Sequence, residues 1–62
     1  MNHFVASLVA RVYACNARVA AMQAENQYRA DKGYSPAYDG DAFFENAEEL
    51  ERLADLLRDH NE

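Results

Sequence analysis

The sequence lacks most of what a 62-residue chain ordinarily uses to staple itself together or to perform chemistry. It has one cysteine, Cys15, so no disulfide can close within it. Its two histidines, His3 and His60, have no second His or Cys at ligand spacing, which excludes the usual zinc patterns and leaves no metal or cofactor to expect. Its two glycines, Gly33 and Gly40, stand apart, so there is no glycine-rich phosphate loop. Basic residues are scarce: six Lys and Arg face eleven Asp and Glu, a net charge of −5. Neutralising phosphates supplies most nucleic-acid affinity, so an acidic chain without a basic patch is a poor partner for nucleic acid. Long apolar runs are missing too. No stretch reads as the ~18–20 apolar residues of a membrane span. The opening "MNHFVASLVARVYAC" has no Lys or Arg before its apolar part and is interrupted by Arg11, so it is not read as a secretion signal, although Val12-Tyr13-Ala14 before Cys15 hints at a lipoprotein cleavage site. The expected location is the cytoplasm.

What is present is helical patterning. Val5, Leu8, Val12, Cys15, Val19 and Met22 alternate at steps of three and four, a seam that continues into Asn26 and Arg29 and predicts a helix over 2–32. Lys32 suits its C-terminal dipole, Gly33 suits the left-handed position that ends it, and Tyr34 would then pack back near Tyr28 or Arg29. A second row, Ser7, Ala10, Ala14, Ala17, Ala21 and Ala24, lies roughly opposite. It is either a face closely approached by another backbone or simply alanine serving as a good helix former. Both glycines and the only proline fall in "KGYSPAYDGD", so the loop is placed at 33–40. Ser35-Pro36 reads as the cap and first position of a single turn ended by Gly40, and Asp41 as the cap of a second helix over 41–60. Phe43, Ala47, Leu50, Leu53, Ala54 and Leu57 form its expected apolar stripe, with Phe44 and Leu56 off it. Acids fill the rest, Glu48 and Arg52 forming an i,i+4 pair.

The predicted fold is therefore all-α: an antiparallel hairpin of a long and a shorter helix in one domain spanning 1–62. The shorter helix cannot cover the whole of the longer one. Phe4, Val5, Leu8 and Val9 are assigned as the uncovered end and, with Val12, as the surface of a homodimer, two hairpins giving a four-helix arrangement.

No catalytic constellation emerges, and an enzyme is not expected. Cys15 falls in the seam with no His near it and reads as a small core residue. The carboxylates of the second helix lie on a hydrated face where nothing would split their pKa values. Aromatic side chains remain. Tyr28, Tyr34, Tyr38, Phe43 and Phe44 gather at the loop end beside Arg29 and Lys32. Some would close the loop end, and the others would face outward as a contact surface, since Tyr and Arg dominate interface hot spots. Arg11 and Arg18, one heptad apart, either pair with acids of the second helix or contact a partner. The partner-binding candidates are thus Arg11, Arg18, Tyr28, Arg29, Tyr34 and Tyr38.

The segments "ARVYACNARVAAMQAENQYRADKG" and "DAFFENAEELERLADLL", with arginine over lysine five to one and twelve alanines, resemble the small helical proteins by which bacteriophages disable host proteins. In size and hairpin layout the chain is similar to the phage quorum-sensing anti-activator family. That resemblance implies a homodimeric hairpin binding a LuxR-type transcription regulator, and a pilus-assembly ATPase as a second target, by protein–protein contact. The leading expectation is thus an inhibitor or sequestering protein acting on a host protein. The alternatives are an acidic DNA mimic, and a small-ligand sponge with a pocket between protomers.

Overall fold

The computed structural model describes residues 2–61, and these form two helices, α1 (His3–Asp31) and α2 (Gly40–Asn61), folded back on each other as a hairpin. The all-α hairpin expected from the patterning is what forms. Among the described residues there is no strand.

α1 begins where Asn2 Oδ1 accepts from the Val5 amide at 2.8 Å, satisfying one of the free donors of the first turn. It ends as its sequence predicts. Gly33 takes φ +78°, the Gly33 amide donates to Ala30 O at 3.0 Å, and the Tyr34 amide reaches Arg29 O at 2.8 Å, so the last carbonyls find partners. Tyr34 lies against Arg29, the guanidinium carbon 5.7 Å from the ring centre. A Cβ at Gly33 would meet nothing within 4 Å, so only backbone strain opposes a side chain there. Gly33→Ala should therefore cost about 1 kcal/mol of stability, read as a shift of the urea midpoint at constant m. A shift of zero would show that the left-handed turn is not formed in solution.

The loop and the start of α2 differ from expectation. Ser35-Pro36 opens no helical turn. The segment is irregular, with a bend at Ala37-Tyr38, and is fastened to α1: the Asn26 side-chain amide bonds both backbone groups of Tyr38 (Nδ2 donating to the carbonyl at 2.9 Å, Oδ1 accepting from the amide at 3.0 Å) and Arg29 Nε donates to Ser35 O at 2.7 Å. α2 is capped by Asp39, whose Oδ1 accepts from the Ala42 amide at 3.1 Å. Asp41 sits inside the first turn, where its charge still suits the dipole.

Val5, Leu8, Cys15 and Met22 of α1 and Leu53 of α2 are the buried core, which matches the predicted seam of α1. The stripe of α2 is corrected. Ala47 and Ala54 are exposed, whereas Asn46, Glu49 and Leu56 are half-buried beside Phe43, Leu50 and Leu57. The inward row runs through Asn46, Glu49, Leu53 and Leu56, so two polar residues hold positions that apolarity alone assigns elsewhere. Phe44 is 63 % exposed, as expected. Arg52 pairs with Glu49 one turn back, not with Glu48.

The uncovered end is also corrected. By their residue counts α1 is about 44 Å long and α2 about 33 Å. The loop runs back along the last turns of α1, so α2 starts beside Met22 and Asn26 and ends beside Phe4. There the His60 ring packs at a tilt against the Phe4 ring, their centres 4.4 Å apart. Val5 and Leu8 are consequently buried inside the hairpin, Val9 and Val12 are half-buried, and only Phe4, at 49 %, stays exposed. These five residues do not form a free dimer surface. The alanine row of α1 does remain exposed throughout. By length and composition alone α1 is long and apolar enough to cross a membrane, a test that the core helix of a soluble protein and a signal sequence also pass.

Candidate functional site

Two features adjoin on one side of the hairpin, a polar groove between the helices and the aromatic loop end. The groove exists because Asn46 stands at an inward position of α2. Its Oδ1 accepts from Arg18 Nε at 3.0 Å and faces the Cys15 thiol at 3.5 Å, while its Nδ2 donates to Ala42 O at 3.0 Å and approaches Met22 Sδ at 3.5 Å. Each polar atom of a half-buried amide is thus occupied, which removes the cost of placing it in the seam and fixes the register of the helices. Cys15 is 1 % exposed and reduced, held by Asn46 and not placed for nucleophilic attack.

One turn further on, Glu49 carries two arginines. Arg11 Nη2 lies 3.1 Å from Glu49 Oε1, and Arg52 bonds the other carboxylate oxygen. The bond from Arg52, aided by both positive charges, holds the Glu49 carboxyl below its ordinary range against a smaller opposing effect of desolvation. A carboxyl depressed on folding contributes stability above its unfolded pKa of about 4.5 that disappears as pH falls through the lower folded value. The hairpin should therefore lose stability on acidification below the usual carboxylate range, and Glu49→Gln should flatten that part of a melting-temperature profile. An unchanged profile in Glu49→Gln would show that the pair contributes nothing.

Arg18, Met22, Tyr38, Ala42, Glu45 and Arg52 line the remainder of this groove, which is open to solvent and holds about 420 Å³. The two Nη groups of Arg18 have no protein partner among the described residues. At the loop end, Tyr28 is 57 %, Tyr34 60 % and Tyr38 39 % exposed. Lys32 Nζ stands 5.7 Å from the Tyr28 ring centre, and Arg29 covers Tyr34.

Of the predicted contact residues, the structure brings Tyr28, Arg29, Tyr34 and Tyr38 to one end. It places Arg11 and Arg18 along the groove, with Tyr38 joining the two groups. Arg11 is already paired with an acid of α2, while Arg18 bonds an amide and keeps its guanidinium edge available. Asn26, Asn46, Glu49 and Arg52 were not singled out as site residues. The signal for Asn46 and Glu49 was available as the two polar residues at the spacing of an inward row.

Among the described residues, no three His, Cys, Asp or Glu side chains gather as metal ligands. The class defined by this geometry is a helical hairpin with a fixed, aromatic-rich end. No family model, curated protein or solved structure matches the chain.

Proposed function

We propose that this protein is a non-enzymatic interaction module that grips another protein through the loop end and the adjoining Arg18–Tyr38 groove, and so inhibits or sequesters it. The observation that carries the reading is the loop itself. Every residue from Lys32 to Asp39 is exposed, yet Asn26 and Arg29 of α1 fasten the segment at Tyr38 and Ser35. Two tyrosines, Tyr34 and Tyr38, are thereby presented from fixed backbone, beside the exposed Tyr28 in the last turns of α1. A tyrosine has few rotatable bonds and a polar tip, so ordering it on a partner costs little entropy.

The partner we propose is a host protein met in the cytoplasm of an infected cell. Through the resemblance to phage anti-activators, a LuxR-type regulator and a pilus-assembly ATPase are the first candidates. The DNA-mimic alternative is less well supported, because Glu49, Asp55 and Asp59 are already engaged by Arg52 and Arg58. Tagged wild-type protein and a Tyr34→Ala/Tyr38→Ala variant, passed through lysate and read by mass spectrometry, separate these readings. A protein retained by wild type and lost with the variant is the expected result. Retention that ignores the tyrosines and collapses with salt would favour the mimic.

A further inference from the structure

Three of the six basic residues of this acidic chain, Arg11, Arg18 and Arg52, gather around the groove between the helices. Two of them are neutralised there, since Arg11 and Arg52 share the carboxylate of Glu49. Arg18 is not. Among the described residues it makes no ion pair, although Glu45 lines the same groove, and its one hydrogen bond runs from Nε to the neutral Oδ1 of Asn46. That amide is itself aimed. Asn46 Nδ2 donates to Ala42 O at 3.0 Å, which turns Oδ1 toward Arg18. A guanidinium tied at Nε is held in place, and its two Nη groups are left as a fork of donors set for one planar acceptor. Arg18 also borders a second hollow of about 190 Å³, so it stands on the ridge between the two.

We infer that the groove receives a carboxylate, the side chain of an aspartate or glutamate on the gripped protein, seated on the Nη edge of Arg18. The inference rests on the grip proposed above and names the chemistry of what enters it.

Charge and shape select this occupant. A planar carboxylate matches the fork with two parallel bonds, and an arginine already oriented by Asn46 loses little freedom in making them. Met22, Ala42 and Tyr38 add apolar wall beside it, and the groove, of about 420 Å³, has room for an acidic side chain and an apolar neighbour. Glu45 limits how much negative charge can enter. A phosphate group near its second ionisation meets repulsion from Glu45 and from a chain of net charge −5, and a polynucleotide meets more. A free small acid suits the site less well than a side chain does. Small-molecule sites bury most of their ligand, whereas this groove is open to solvent and continues into exposed tyrosines that only a larger partner covers.

The probe is a blocked tripeptide with glutamate between two leucines, titrated at millimolar concentration into nitrogen-labelled protein and followed by NMR. It should shift the Arg18 Nε–H and Asn46 side-chain signals, and the glutamine counterpart should bind about tenfold more weakly. Arg18→Gln, on an exposed side chain, should abolish the preference for glutamate with the helical circular dichroism unchanged. Asn46→Asp should abolish it with Arg18 still present, because a carboxylate in place of the amide neutralises the guanidinium. Equal binding of the two peptides, tighter binding of a phosphoserine counterpart, or a preference that survives Arg18→Gln would overturn the proposal. Acetate matching the glutamate peptide at equal concentration would assign the site to a free acid and overturn it too. The titration uses no captured protein, so its failure is distinct from failure of the grip, which the tyrosine variants read in lysate. Capture that needs Tyr34 and Tyr38 but ignores Arg18→Gln would keep the grip and remove the carboxylate from it.

Discussion

Leu53→Ala should come close to unfolding the hairpin. Leu53 is 1 % exposed and, among the described residues, is the one buried hydrophobic side chain that α2 contributes, against Val5, Leu8, Cys15 and Met22 of α1. Truncating such a leucine removes its transfer free energy and leaves a cavity that two helices cannot collapse without sliding, which costs about 2–5 kcal/mol. At roughly 0.05–0.15 kcal/mol per residue, a chain of this length has only about 3–9 kcal/mol in total. The melting temperature should fall by about 10–25 °C, with part of the helical signal already lost at room temperature. Phe44→Ala, on a side chain 63 % exposed, should move it by less than about 0.5 kcal/mol. Equal effects of the two substitutions would show that the hairpin core is not where the structure puts it.

The second large effect concerns binding. Tyr38 lies where the groove meets the loop end, beside Arg18, with its backbone fixed by Asn26 on both sides. Tyr38→Ala or Tyr34→Ala should weaken partner capture by about 1–3 kcal/mol, or roughly 5- to 150-fold, with circular dichroism unchanged. Glu48→Ala combined with Glu51→Ala should cost well under 1 kcal/mol, because exposed carboxylates contribute little once screened. Isothermal titration against the captured protein measures both. The reverse ranking would transfer the contact to the acidic helix and favour the mimic reading.

Much of the fold was legible because the seam of α1 is written in large apolar residues at unbroken three- and four-residue steps, and because Gly33 marks its end with a conformation that other residues avoid. α2 was read out of phase for an equally physical reason. Alanine sits in a core or on a surface at little cost, so Ala47 and Ala54 were poor markers, while Asn46 and Glu49 became tolerable at inward positions once Arg11, Arg18 and Arg52 reached them. Which end of α1 stays uncovered was not legible at all. It depends on the path of the loop, which follows bonds from Asn26 and Arg29 to backbone twelve and six residues away. The aromatic end of the candidate site could be read from composition around the glycines and proline. The groove could not, because its walls come from residues brought together only by the correct phase of α2.

Amide hydrogen exchange of the protein with and without its captured partner tests the contact surface most directly. Binding through the fixed loop should slow exchange across Tyr28–Asp39 and leave the exposed acidic face of α2 at its free rate. Slowing confined to residues 45–59, with the loop unchanged, would contradict the account.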